Sequence, residues 1–212
     1  MKKIALSLAL VVFLSLGMQS KTIRAYLSYT VFNTPDNDPY IETYLTIQSG
    51  SIVNLLKDDG LYSGELHVQM IFRQDDSIVN FGKYVLNSPK IKDTTSNSVN
   101  FLDVQRYTLP NGTYDMELAL DDPNTSEEPI VSKTSFVVDF PEDKLTFSDI
   151  EFLSSYKKDD SESILNKHGY EVVPYVFNYF PEVETALNFY TEIYHADKTV
   201  GEDEYVVYSY IR

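Results

Sequence analysis

The chain has 212 residues, of which 32 are acidic and 17 basic, and a formal net charge of −15. An acidic surface of this kind repels nucleic acid and anionic membrane, because both are bound through clustered lysine and arginine side chains. A hydrophobic fraction of 43%, with 17 tyrosines and 12 phenylalanines, excludes wholesale disorder.

Residues 1–20 have the three parts of a cleavable export signal. Lys2 and Lys3 form the positive region, residues 4–16 form an apolar stretch, and small or polar residues follow at plausible cleavage positions. A membrane-spanning helix needs about 20 apolar residues, so this run is too short for an anchor. The chain has no cysteine, which excludes a lipoprotein anchor and disulfides. We therefore expect a periplasmic or extracellular protein with no membrane insertion after signal cleavage.

Alternating apolar and polar residues between positions 24 and 140 predict eight short β-strands. The alternation is sharpest in residues 65–72 and 114–121, where one face is apolar and the other polar. The other predicted strands cover 24–32, 40–47, 51–56, 77–86, 98–108 and 130–140. Turns rich in Asp, Asn, Pro and Gly separate them. This spacing favours an Ig-like or fibronectin-like β-sandwich over residues 24–140.

The segment 109–114, with the sequence LPNGTY, joins a Pro-Asn-Gly turn to a tyrosine that opens a strongly alternating strand. In Ig-like sandwiches, a tyrosine in this position directs its hydroxyl back to nearby backbone, an arrangement called the tyrosine corner. We predict this structural role for Tyr114.

Strand patterns resume after a polar, proline-led boundary at residues 141–144. They cover 145–154, 170–180, 186–195 and 204–212. Residues 161–168 are predicted to form one or two helical turns that end at Gly169. Four strands are too few for a sandwich and the last pattern runs to the final residue, so we expect an incomplete, truncated second sandwich over 145–212. The predicted fold is all-β, with tandem Ig-like sandwiches.

The sequence carries no catalytic motif. It lacks the G-x-S-x-G elbow and the glycine-rich phosphate loops, and its three histidines (His67, His168 and His195) are far apart. We therefore predict no catalytic residue, no cofactor and no metal site. A weak calcium site in the acidic loops at 36–42 or 121–128 stays open as an alternative, although neither loop has the spacing of a calcium-binding loop.

Eight of the 17 tyrosines lie in the last 43 residues. In the strand predicted at 186–195, alternation places Leu187, Phe189 and Ile193 on a buried apolar face. It turns Tyr190, Glu192 and Tyr194 outward. Aromatic rings beside a carboxylate on an exposed sheet can stack on a sugar or anchor a protein partner. We predict these last three residues as contacts to a partner or glycan. Tyrosines that pair across strands, with no ligand, are the structural alternative.

Five stretches of the chain carry a resemblance to a known family: AYLSYTVF (25–32), PYIETYL (39–45), LNSP (86–89), NFLDVQR (100–106) and GYEVVPYV (169–176). They resemble the N-terminal β-domain region of secreted Bacteroidetes proteins of the GWxTD-domain type. The resemblance implies an envelope-associated, β-rich protein and brings no enzymatic activity with it. The GWxTD motif itself is absent, since the chain has no tryptophan.

The function predicted from the sequence is that of an exported, non-enzymatic β-sandwich protein that binds or scaffolds within the bacterial envelope. Its partner would be an envelope protein or a glycan. Two alternatives stay open: a carbohydrate-binding module that uses exposed tyrosines, and the non-catalytic N-terminal part of a larger secreted protein or enzyme.

We expect the exported protein to begin near residue 20 or 21, because the small and polar residues that follow the apolar stretch suit cleavage. N-terminal sequencing of the exported protein measures this directly. A soluble exported form that retains Met1 would contradict the prediction.

Overall fold

The computed structural model describes residues 22–94, 99–182, 185–201 and 204–210, so the predicted signal at 1–20 lies outside the described residues. These residues form fourteen strands, one 3₁₀ turn and one short helix. The strands are β1 Ala25–Phe32, β2 Tyr40–Gln48, β3 Asn54–Leu56, β4 Tyr62–Gln74, β5 Ser77–Asn87, β6 Asn100–Thr108, β7 Gly112–Asp121, β8 Ile130–Val138, β9 Thr146–Phe147, β10 Glu151–Lys158, β11 Asn166–Lys167, β12 Tyr170–Pro174, β13 Asn188–Tyr190 and β14 Ile193–Tyr194. The 3₁₀ turn is Ser49–Ser51 and the helix, α1, is Ala196–Val200. Among the described residues, no helix is both long and apolar enough to cross a bilayer.

Strands β1 to β8 form an antiparallel two-sheet sandwich. The first sheet has the order β1-β2-β6, and the second has the order β3-β4-β7-β8 with β5 also paired to β4. Alternate residues of β4 and β7 point inward and are buried, as the sequence predicts. The core between the two sheets includes Ile41, Leu45, Ile47, Leu66, Met70, Phe72, Met116, Leu118 and Leu120. The all-β prediction is therefore confirmed.

The tyrosine corner predicted at residues 109–114 is present. Tyr114 is buried, and its hydroxyl donates a hydrogen bond of 2.6 Å to the carbonyl oxygen of Pro110. The Tyr114 ring stacks on Phe136 with the two centroids 5.7 Å apart. The corner thus fastens the turn before β7 to the core.

Strand β2 is buried on both of its faces. Ile41, Leu45 and other residues of its inner face belong to the sandwich core, while Glu42, Tyr44 and Thr46 point to the opposite side and are also buried. A small sheet with the order β11-β12-β10-β13 covers this outer face, and we call it the docked sheet. The molecule therefore has three β-layers, with the β1-β2-β6 sheet in the middle.

The tandem second sandwich is not confirmed, because the described residues between 146 and 194 form only the docked sheet and the two-stranded pair of β9 and β14. The strand predicted at 170–180 ends at Pro174, since proline offers no N–H to continue a ladder. The strand predicted at 186–195 divides into β13 and β14, which pair with different strands. The prediction at 204–212 is wrong over 204–210, which carry no strand and have exposed side chains; residues 211–212 lie outside the described residues.

The helical turns predicted at 161–168 are also wrong. Lys167 pairs with Tyr170 across a two-residue turn, in which His168 has φ 50° and Gly169 has φ 82°. Two consecutive residues with positive φ make a type I′ turn, the tight turn that suits a twisted hairpin. Gly169 is therefore the second residue of a hairpin turn and not the end of a helix.

We expect Tyr114→Phe to lower the free energy of unfolding by about 1 kcal/mol, because it removes a buried hydroxyl hydrogen bond and keeps the ring. Urea unfolding of the two proteins measures the difference. Tyr156→Phe is the matched control, since that tyrosine is exposed and should show no measurable change. Equal stability of Tyr114→Phe and the natural chain would contradict a stabilising corner.

Candidate functional site

A cleft of about 560 Å³ opens between strand β1 and the docked sheet. Seven aromatic residues contribute to its lining, and we call it the aromatic cleft. The rings of five of them contact one another: Tyr26, Phe152, Tyr175, Phe177 and Phe180. Residues 26–30 of β1 form one wall, and Tyr44 and Glu151 complete the lining between the two sheets.

The five rings touch one another in a continuous network. Tyr26 meets Phe177 edge-on at 4.9 Å between centroids, and Phe152 meets Phe180 in the same way at 5.2 Å. Tyr175 joins the two pairs, since it stacks on Phe180 at 4.6 Å and contacts Phe177 at 5.6 Å. Half of the Tyr26 side chain and more than a third of Phe152 and Phe177 stay exposed. Such rings present an apolar surface that a ligand can cover.

One backbone and one side-chain hydrogen bond of Tyr175 hold the segment that carries three of these rings. After β12 ends at Pro174, the Tyr175 N–H donates to the carbonyl oxygen of Phe152 at 2.7 Å. The Tyr175 hydroxyl donates to the carbonyl oxygen of Tyr179 at 2.5 Å, which closes the loop on itself. The rings are thus positioned before any ligand arrives.

A buried ionic cluster lies behind the aromatic cleft. The ammonium nitrogen of Lys167 is 2.8 Å from Oε1 of Glu42 and 2.5 Å from Oε2 of Glu151, and all three residues are buried. Glu42 lies on β2 of the sandwich, while Glu151 and Lys167 lie on the docked sheet. Lys167 therefore links the sandwich to the docked sheet through its ion pair with Glu42.

Glu42 and Lys167 each make further polar contacts within the cluster. Oε1 of Glu42 also accepts a hydrogen bond of 2.8 Å from the Tyr44 hydroxyl, and Arg106 pairs with Oε2. The Lys167 nitrogen lies 4.0 Å from the centre of the Phe32 ring, a cation–π contact. Desolvation of the lysine is offset by these partners.

The carboxylate of Glu151 has a hydrogen-bond partner for only one of its two oxygens among the described residues. Its Oε2 meets Lys167, but its Oε1 is buried without a hydrogen-bond partner among the described residues. Burial raises the pKa of Glu151 above its usual value, because removal from water penalises the charged form, and the nearby Lys167 opposes this only in part. Glu151 belongs to the lining of the aromatic cleft, and its Oε1 is the buried polar atom there that has no hydrogen-bond partner among the described residues.

The three predicted contact residues, Tyr190, Glu192 and Tyr194, lie close together. Hydrogen bonds to one another and ring packing already engage their side chains. The hydroxyls of Tyr190 and Tyr194 each donate to one oxygen of Glu192, at 2.5 Å in both cases. Their rings pack on the sandwich: Tyr190 lies 6.1 Å from Phe32 and Tyr194 lies 5.4 Å from Phe140, between centroids. Burial and the adjacent Glu192 raise the pKa of both tyrosines.

The predicted assignment of faces in this segment is therefore wrong. Tyr190 and Tyr194 are half-buried, whereas Leu187 and Phe189, expected inside, are 40% and 44% exposed. The reason is that the sandwich covers the tyrosine face of these short strands. A second cleft of about 650 Å³, which we call the tyrosine cleft, borders Tyr190, Glu192 and Tyr194 together with the 34–37 loop.

Two of the acidic residues considered as calcium ligands, Glu42 and Asp122, use their carboxylates for structure. Glu42, a candidate calcium ligand, points into the ionic cluster. Asp122 accepts hydrogen bonds from the backbone N–H groups of Val53 and Asn124. In the part of the chain that the structure describes, no group of three or more histidine, aspartate or glutamate side chains is placed to hold a metal ion.

Comparisons with protein-family models, with curated proteins and with solved structures find no match to this chain. The resemblance to GWxTD-type proteins therefore stays a prediction.

The aromatic cleft and the pairing of Glu151 with Lys167 were not predicted from the sequence. One signal was present: residues 174–181 read PYVFNYFP, an aromatic run with a proline at each end, which favours a looped segment over a strand. Nothing in the sequence distinguishes Glu151 or Lys167 from the other charged residues near them. Their pairing depends on how the docked sheet lies on β2.

We expect Lys167→Met to lower the free energy of unfolding by about 3–5 kcal/mol, because it leaves two buried carboxylates without their shared cation. Lys157→Met is the matched control: this lysine also pairs with carboxylates but is exposed, so its change should be far smaller. Urea unfolding at neutral pH measures both. Similar losses for the two variants would mean that the cluster does not stabilise the docked sheet.

We also expect Glu151 to make stability depend on pH. Its folded-state pKa lies above the ordinary value of 4.5, so the folded protein binds this proton more tightly than the unfolded chain. The resulting stability is fully present below about pH 4.5 and is lost as the pH rises through the raised pKa. Glu151→Gln removes this component. Urea unfolding from pH 7 down to 4.5 should therefore show the natural chain gaining stability relative to the variant, and parallel curves would contradict the assignment.

Proposed function

We propose that this chain is an exported, non-enzymatic binding module of the bacterial envelope, and that its ligand occupies the aromatic cleft. The observation that carries the proposal is the coincidence of five partly exposed rings with a buried carboxylate oxygen that has no partner among the described residues. Binding sites commonly combine a mainly apolar lining with a few convergent polar groups. The cleft has this composition.

Binding is favoured over catalysis by the position of the carboxylates. Acid–base chemistry on a bound molecule generally needs two titratable groups that reach it in different protonation states. Glu151 is the one carboxylate among the described lining residues of the aromatic cleft. Glu42, its neighbour across Lys167, is turned toward β2 and Arg106 and is not part of that lining.

The location in the envelope is supported by the signal pattern of residues 1–20 and by the resemblance to secreted GWxTD-type proteins. A role as the non-catalytic N-terminal part of a larger secreted protein is compatible with the same proposal, because the cleft is complete within residues 26–180.

A carbohydrate-binding module that uses the late tyrosines is the second candidate. The tyrosine cleft favours it, since two tyrosines and a glutamate line a concave surface beside His168 and Lys198. Against it, both tyrosine hydroxyls are already bound to Glu192, and a sugar would have to compete with those hydrogen bonds.

Site-specific photo-crosslinking in the producing cell distinguishes the two sites. A benzophenone amino acid replaces Phe177 in the aromatic cleft, Lys198 beside the tyrosine cleft, or the exposed Tyr156 as a control outside both linings. We expect a discrete covalent adduct with a protein or glycan from position 177 alone. An adduct from position 198 alone would support the second candidate, and no adduct from position 177 would overturn the proposal.

A further inference from the structure

Strand β1 is an edge strand whose outer edge is closed at one end and open at the other. It pairs with β2 only, in antiparallel register from Ala25 with Ile47 to Phe32 with Tyr40. At the closed end, the Val31 N–H donates to Oδ2 of Asp149 at 3.0 Å, and the Asp149 N–H donates to the Val31 carbonyl oxygen at 3.1 Å. The chain itself thus occupies the first position along this edge.

The next position toward the same end is also closed. The Asn33 N–H donates to the Tyr194 hydroxyl at 3.0 Å. Val31 and Asn33 therefore direct their backbone groups away from β2, whereas Arg24 directs its carbonyl oxygen toward β2, where it accepts the Gln48 N–H at 3.0 Å.

The other end of the same edge is open. Residues two apart in a strand direct their backbone groups to the same side, so Ala25, Leu27 and Tyr29 face the free edge as Val31 does. Among the described residues, no strand or loop pairs with these three residues on that side. All three residues are half-buried.

The open edge and the aromatic cleft are the same place. Leu27 and Tyr29 of β1 belong to the lining of the cleft. Tyr26, also on β1, supplies one of its rings and contacts Phe177. A strand added along this edge would direct alternate side chains toward the cleft, because successive side chains of a strand point to opposite faces. The edge can give main-chain hydrogen bonds while the rings select a side chain, which is the division of roles in recognition by strand addition.

We propose that the ligand of the aromatic cleft is an extended segment of a basic partner protein, which pairs with the Ala25–Tyr29 edge of β1 as an added strand and places one side chain among the five rings. This inference rests on the proposed function and names its partner. Extended peptide is favoured over glycan because the open groups recur at every second residue, the spacing at which another strand pairs. Asp149 already occupies this edge at Val31, with its backbone N–H and a carboxylate oxygen in place of a strand's N–H and carbonyl.

Charge complementarity gives the basic character of the segment. The chain carries a formal net charge of −15, and the described lining of the cleft includes one carboxylate, that of Glu151, and no lysine or arginine. A lysine or arginine stem lies well along aromatic rings, and its cationic head is attracted both to their faces and to a carboxylate.

The test starts from a phage-displayed library of random 12-residue peptides selected on the mature protein. We expect the selected peptides to be basic and to carry a lysine or arginine flanked by residues with high β-propensity. The tightest peptide is then measured by isothermal titration against the natural chain and against variants of the edge and of the cleft.

Leu27→Pro and Leu27→Ala form a matched pair. Both remove the leucine side chain, but only proline removes the N–H at the open edge, and that N–H makes no bond to β2. If the peptide adds as a strand, Leu27→Pro should weaken binding by about tenfold or more, since it leaves a peptide carbonyl unpaired. Leu27→Ala is the reference for this comparison, so the tenfold loss is measured between the two Leu27 variants, and Phe177→Ala should weaken binding by about tenfold relative to the natural chain.

A second measurement keeps the test independent of whether Leu27→Pro folds. Peptides N-methylated at alternate positions are titrated against the natural chain: methylation at the positions that face β1 should abolish binding, and methylation between them should not. Equal binding of the two methylated series would overturn strand addition.

Three results separate the inference from the proposed function. If Phe177→Ala weakens binding but Leu27→Pro and the methylated peptides do not, the cleft binds its ligand and strand addition is wrong. The same holds if envelope polysaccharide fragments bind through Phe177 and no peptide does. If Phe177→Ala changes the binding of neither peptide nor polysaccharide, the proposed function itself is overturned.

Discussion

The charge of Lys167 is the constraint on which the arrangement of the layers depends. A buried ammonium group is tolerated only where carboxylates stand within reach, and Glu42 and Glu151 provide them from opposite sides of the interface. A shift of the docked sheet along β2 would separate Lys167 from Glu42 and leave both charges buried. The pair therefore selects one alignment of the two sheets. That alignment also brings the aromatic segment 175–180 opposite β1 and so forms the aromatic cleft.

The first sandwich could be predicted from the sequence because most of its strands have one buried and one wet face. In β7, for example, Met116 and Leu118 alternate with polar residues, and the alternation alone identifies the strand and its inner face. Tyr114 could be placed for a related reason, since its role is fixed by the local turn. Both signals are local and do not depend on what packs outside.

The docked sheet could be predicted only in part, because its strands are short and their neighbours are distant in the chain. β10 has a register shift between Leu153 and Ser155, which interrupts the alternation that identifies a strand. The tyrosines of residues 190–194 have a polar tip on an apolar ring, so they suit either face, and the sandwich decides which one is covered. The candidate site was missed for this reason: Glu151 and Phe177 become neighbours of β1 only through docking.

The hairpin turn at His168 and Gly169 has a consequence for which substitutions the molecule tolerates. The turn lies at the surface, and substitutions at surface positions usually have small effects. Here, however, the turn follows Lys167 directly, and its two positive φ angles determine where the lysine side chain enters the interface. A side chain at position 169 would favour a different turn, because few residues other than glycine adopt this positive φ. The change would displace the buried ammonium group of Lys167, which directly precedes the turn. A glycine in a solvent-facing loop should therefore be among the least replaceable residues, and mutational scanning would place it with the core rather than with the surface.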